Sequence, residues 1–162
     1  MHTLLSIGSG FNAIEISFSV RLLAAAILGV LMGLERTIAG KHAGMRTYAL
    51  VALASCLFCL VGTLASFELS MFSSINPLQI AGSIAIGIGF VGSGLAVVRS
   101  EHPGELTTAS GILVVSAIGM ACGFGLYIIA SVTTILSVII LSLLSRVEGR
   151  IRSRLNHTEP IA

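Results

Sequence analysis

The sequence contains no aspartate, and only 10% of its 162 residues carry a charge. A soluble domain holds about 25% charged residues. Aromatic residues amount to 6%, whereas hydrophobic residues reach 55% and the mean hydropathy is +1.02. A chain this short cannot hide so much apolar surface, because small domains leave a large share of their surface in water. These shortages exclude a soluble globular enzyme and a disordered tail. The nine basic residues are dispersed and not interleaved with aromatics, so there is no nucleic-acid footprint. What remains is a membrane protein, with the length of one domain.

Carboxylates are also missing where ion chemistry in a membrane would want them. The seven acids are Glu15, Glu35, Glu68, Glu101, Glu105, Glu148 and Glu159, and none lies deep in an uncharged stretch. Proton relays and many cation paths place acids at mid-membrane, and magnesium usually takes one or two carboxylates. The polar groups at depth are hydroxyls such as Ser93, Ser116, Thr133 and Thr134. This weighs against a stand-alone magnesium channel. All four histidines lie in loops or termini, so no serine–histidine or acid pair is available at bilayer depth, and the chain reads as non-enzymatic. His42 and His102 read as solvated, with a His–His–Glu metal site as the alternative. Cys56 and Cys59 form a C-x-x-C inside the apolar run Val51–Leu60, and Cys122 stands alone. With no second ligand pair for zinc, they read as small apolar packing residues. No resident metal or cofactor is expected.

Crossing a ~30 Å core takes about 20 apolar residues. Ile16–Leu34 holds only Arg21. Thr47–Phe67 is uncharged. Leu69–Val98 is uncharged, with its usable helix starting after Pro77, and Leu106–Ser145 is an uncharged run of 40 residues. As one helix that run would be about 60 Å long, so it must turn back. Gly123-Phe124-Gly125 supplies the flexible positions. The expectation is therefore an all-α bundle of five spans, 16–34, 47–67, 78–98, 106–122 and 126–145. Residues 1–15 form a short leading segment that is not a signal peptide, and 146–162 form a basic tail.

The basic residues test this count independently. With five spans, one membrane face receives Arg36, Lys41 and Arg46, then Arg99, then Arg146, Arg150, Arg152 and Arg154. The opposite face receives none. The positive-inside rule then sets the N-terminus outside and the C-terminus in the cytoplasm. Four spans would put the last four arginines outside. Arg21 is the exception, and snorkelling to the outer headgroups is its simplest reading. A carbonyl or ionic partner inside the bundle is the alternative.

Small residues recur at spacing four. Ala25, Gly29 and Gly33 share a face of the first span, Ala81, Ala85, Gly89 and Ser93 a face of the third, and Gly119 and Gly123 a face of the fourth. Such stripes let helix backbones approach closely, within a bundle or across a homodimer. Gly87-Ile88-Gly89-Phe90-Val91-Gly92 spells G-x-G-x-x-G, but inside a membrane span it fails the strand–turn–helix context of a dinucleotide site. With Gly94, these glycines read as close packing or as a loosened helix exposing carbonyls to a pathway.

The expected cytoplasmic face is richer in polar groups. Thr47, and Thr107 or Thr108, suit helix N-caps, and Glu105 is favoured beside a helix start. Arg36 or Arg46 would pair with Glu35 or Glu105 across loops. Ordinary capping and headgroup anchoring explain this face as well as a recognition surface for a protein, a lipid headgroup or an ion does.

The run Gly33-Leu34-Glu35-Arg36, then Gly40, then Ala43-Gly44-Met45-Arg46-Thr47, resembles the signature of the MgtC/SapB membrane family. So does Gly87 to Gly94 followed by Leu106-Thr107-Thr108-Ala109. Order and spacing agree from about Arg21 to Arg146. The resemblance implies a multi-pass protein of the bacterial inner membrane, tied to growth in low magnesium and to virulence. Members of the family are called magnesium transporters, and they are also described as regulators of other membrane proteins, including transporters and the F-type ATP synthase. Magnesium would then be a transported or sensed ion. The resemblance also implies importance for Glu35, Arg36, Arg46, Thr47, Gly89, Gly92, Thr107 and Thr108. This chain departs from the family at Asn76-Pro77, where many members have an aspartate, and at Glu105, where many have glycine. The MgtC branch adds a soluble C-terminal domain that this sequence does not hold. The leading expectation is a regulator acting through a membrane-protein partner, and the alternative is a cation transporter.

Overall fold

A computed structural model describes residues 2–68, 76–98 and 105–156. Every regular element among them is an α-helix: α1 (His2–Ile38), α2 (Met45–Glu68), α3 (Pro77–Val98), α4 (Glu105–Gly123) and α5 (Tyr127–Asn156). Each contains a stretch long and apolar enough to cross a membrane, respectively Ile14–Ile38, Met45–Ser66, Leu78–Leu95, Leu106–Gly123 and Tyr127–Ile151. The chain is thus an all-α, five-span membrane protein. Two helices outrun their expected spans, because helix α1 already starts at His2 and α5 continues through the arginines to Asn156.

The helix ends show why the chain turns where it does. Gly40 and Gly125 have positive φ, 68° and 78°, a backbone region that side chains with a Cβ rarely enter. At each, a Schellman motif closes the preceding helix. After α1, Gly40 N–H donates to Thr37 O and Lys41 N–H to Arg36 O. After α4, Gly125 N–H donates to Cys122 O and Leu126 N–H to Ala121 O, at 2.9 and 2.8 Å. The long uncharged run therefore folds back at Gly123-Phe124-Gly125. At the start of α3, Pro77 occupies the first helical position, where no N–H is needed. The Asn76 side chain caps the helix by accepting from Leu78 N–H at 2.9 Å.

Arg21 completes the α4 terminus. The turn leaves the Gly123 carbonyl without a backbone partner, and Arg21 Nη1 donates to it at 2.8 Å. With Phe124 N–H on Met120 O, the last four carbonyls of α4 all have donors. The snorkelling reading is corrected, since the guanidinium is held inside the bundle by a helix C-terminus. That end carries partial negative charge, which favours a cation. The Phe18 ring lies below the guanidinium at 5.8 Å, while Arg21 Nε remains a buried donor without a partner among the described residues.

Helix α4 is the core element. Half of its span is buried, against 6% for α3. It packs on the other four helices, and α2 also lies against α1. The seams are built from small residues. A methyl group on Gly29 would fall 2.8 Å from Tyr48 O, one on Gly33 2.6 Å from Met45 Cα, and one on Gly123 2.9 Å from Cys56 O. Without a hydrophobic drive between helices in lipid, this backbone contact supplies the attraction. Across the α2–α4 seam the Ser55 and Ser116 hydroxyls bond at 2.8 Å, fully sequestered. Cys56, Cys59 and Cys122 are free and buried in the same region, filling space as small apolar groups.

Helix α3 is different. Its helix is continuous from Pro77 to Val98, so the loosened-helix reading of its glycines is corrected. Gly92 faces Ala109 of α4 at ordinary contact distance, whereas methyl groups on Gly82, Gly87, Gly89 or Gly94 would meet nothing within 4 Å.

Candidate functional site

One end of the bundle gathers polar groups from α1, α2, α4 and α5. It is built around the last turn of α1. Arg36 follows Glu35 directly, and its guanidinium grips that carboxylate with two hydrogen bonds, Nε to Oε2 and Nη2 to Oε1, the latter at 2.8 Å. The pair is largely shielded from solvent, with side-chain exposures of 3% for Arg36 and 12% for Glu35. A planar guanidinium matched to a carboxylate is the strong, two-pronged form of ion pair. Its position in the last turn also suits the helix dipole for the arginine. Glu35 thus finds its partner one residue away, not across a loop. Arg46 is exposed and makes no ion pair among the described residues.

The α1–α2 connection is held by Thr37. Its hydroxyl donates to Gly33 O at 3.0 Å and accepts from Met45 N–H at 3.2 Å, so a side chain of α1 caps the start of α2. Gly44 sits against this hydroxyl, too close for any larger residue. Thr47, expected as the cap, is the third residue of α2 and exposed. It lines a cavity of about 450 Å³ with His42, Gly94 and Ile112.

Tyr48 ties α2 to α4. It is fully buried, and its hydroxyl donates to Thr108 O at 3.4 Å while lying over Gly111. Thr107 and Thr108 are the third and fourth residues of α4, so neither is its cap. Thr108 is buried, and Thr107 is exposed beside Ser110 and Ser137 in a pocket of about 340 Å³ between α4, α5 and α1. Glu105 begins α4. Arg99, Glu101 and His102 lie outside the described residues, as does the side chain of Glu105.

Between α1 and α5 runs a groove of about 630 Å³. Its walls are mostly apolar, and Glu35, Ser142, Ser145 and Arg146 gather toward one end. Among the described residues no group of three or more His, Cys, Asp or Glu side chains could hold a metal ion.

The structure therefore pairs Glu35 with Arg36 at the end of α1 and buries Thr108 beside Tyr48 at the start of α4, while Thr47, Thr107 and Arg46 are exposed. Gly29 and Gly33 belong to the α1–α2 seam, Gly94 shares the cavity of Thr47, and Gly87 and Gly89 lie apart on open faces of α3. Sequence reasoning missed Tyr48, Thr37 and the Ser55–Ser116 pair. For Thr37 and Tyr48 a signal existed: one hydroxyl just before a glycine turn, and one phenol in the first turn of an apolar helix.

Comparison with known proteins identifies the family. The chain matches the MgtC family over residues 22–150. It is 32% identical over 144 residues to YhiD of Escherichia coli (strain K12), which is named a candidate magnesium transporter; the match covers 88% of this chain and 67% of that one. It is 36% identical over 142 residues to SrpB of Synechococcus elongatus, covering 82% and 78%. Against MgtC of Brucella abortus (strain 2308), identity is 34% over 123 residues, covering 76% of this chain but 49% of that protein. No solved structure matches. On the strength of the family match, the five apolar helices and the motifs they carry, the chain belongs to the MgtC family of multi-pass membrane proteins.

Proposed function

We propose that this protein is a non-enzymatic regulator of magnesium-linked ion homeostasis in the bacterial inner membrane. It acts by engaging another membrane protein, with its N-terminus outside and its C-terminus in the cytoplasm. The single observation that carries the reading is the tight packing of α1, α2 and α4 among the described residues. The helix seams are filled by backbone contacts and the Ser55–Ser116 hydroxyl pair, and the paired Glu35 and Arg36 sit at a helix end. Magnesium enters through the names of relatives and the family resemblance. A transporter or the F-type ATP synthase is the kind of partner that resemblance suggests.

Two measurements test this together. In-membrane crosslinking from the polar end captures a defined membrane protein, and capture is weakened by Arg46→Gln, an exposed substitution that spares the fold. Purified protein in liposomes moves no magnesium under imposed gradients and potentials. Flux through the purified protein that is abolished by Glu35→Gln would sink the regulator reading. It would establish the second one, cation transport, which the name of the Escherichia coli relative favours. In that reading α3 would line the path, and Glu35 with Glu105 would form its mouth.

A further inference from the structure

The groove between α1 and α5 has the dimensions and polarity of a phospholipid site. Its apolar walls come from Leu31 and Leu34 on one side and Ile135 and Ile139 on the other. From Thr134 to Arg146, both of which line it, α5 rises about 18 Å. One leaflet of a ~30 Å hydrocarbon core is about 15 Å deep. The groove thus matches the depth of a single leaflet, which would set Arg146 at headgroup level.

Charge at that end selects the ligand. Glu35 is already neutralised by Arg36 through two hydrogen bonds. Arg146 is exposed and makes no ion pair among the described residues, so the mouth of the groove carries one uncompensated positive charge. Ser145 lies beside it, its hydroxyl donating to Ser142 O at 3.1 Å. A basic pocket between membrane helices at this face is a known way of holding an anionic headgroup. The α1–α5 seam is also the natural place for such a ligand, because α5 leaves most of its surface open, with 11% of its span buried.

We infer that the α1–α5 groove is a binding site for one anionic phospholipid, its acyl chain lying along Ile135 and Ile139 and its phosphate on Arg146. The ligand joins α5 to the polar end of α1. The inference is independent of whether the protein regulates or transports.

The test is native mass spectrometry of the delipidated full-length protein in detergent, titrated with phosphatidylglycerol or phosphatidylethanolamine. The expected result is one bound phosphatidylglycerol, held about tenfold more tightly than phosphatidylethanolamine. Arg146→Gln removes the preference, whereas Lys41→Gln, an exposed loop cation at the same end, leaves it unchanged. Ile139→Trp, which fills the apolar wall, lowers affinity for both lipids while circular dichroism shows the helices intact. Glycerol phosphate, which carries the same anion without chains, does not compete. Equal binding of the two lipids, equal loss in Arg146→Gln and Lys41→Gln, or crosslinks placing a second copy in the groove would overturn the assignment.

Discussion

Replacing Gly119 by alanine drives α2 and α4 apart, and replacing Gly89 by alanine does not. The added methyl at 119 would fall 2.9 Å from the Cα and carbonyl carbon of Ala52, and nearer still to the Ala52 oxygen. Ordinary contact begins at 3.4 Å, so backbone must retreat by about 0.5 Å or more. No side chain is there to swing aside. Overpacking costs about 1–3 kcal/mol, and a backbone-on-methyl clash belongs at the upper end of that range. Alanine returns about 1 kcal/mol through its better helix propensity. The net is about 2 kcal/mol of destabilisation, on the order of a 30-fold change in the folded-to-unfolded ratio. At Gly89 the methyl meets nothing within 4 Å, so only the propensity gain applies, and the variant is as stable as the parent or more so. Both can be read by titrating the protein with a denaturing detergent and following thiol labelling of Cys56, Cys59 and Cys122, each fully buried. If both variants unfold at the same detergent fraction, the assignment of the α4 stripe as a backbone seam is wrong.

Other perturbations separate the remaining contributions. Glu35→Gln leaves the Arg36 charge buried without a counter-ion and lowers stability by up to about 3 kcal/mol. Adding Arg36→Met recovers much of that loss in the same labelling assay. Ser55→Ala and Ser116→Ala each cost roughly 0.6 kcal/mol, the typical value for a hydrogen bond between membrane helices. The double variant costs little more than either alone. Reporter fusions at residues 1 and 162 lie on opposite sides of the membrane, with the C-terminal reporter in the cytoplasm.

Much of the scaffold was legible from residues alone. Long uncharged runs had to cross lipid, and a run of twice the needed length had to turn at its paired glycines. The caps were less legible. Thr47, Thr107 and Thr108 look like N-caps because threonine favours that position, but each lies inside its helix, and at α2 the cap comes from Thr37 on α1. Local preference was overridden by a neighbouring helix. Arg21 is a similar case. Its charge was visible, yet its partner is a carbonyl 102 residues away, exposed only because the Schellman turn leaves it over. Glu35 and Arg36 showed the reverse: a partner sought across loops proved to be the next residue.

By itself the amino-acid sequence determined the number of helices, their lipid environment and the places where the chain reverses. Hydrophobic run length and glycine conformation are local properties that need no knowledge of neighbours. Only the tertiary structure decided which glycine stripes are seams and which stay open. Ala25–Gly33, Ala81–Ser93 and Gly119–Gly123 carry the same pattern, and a missing Cβ has no meaning until another backbone does or does not approach it. In this fold α1 and α4 meet α2 through theirs, while most of the α3 glycines face open space.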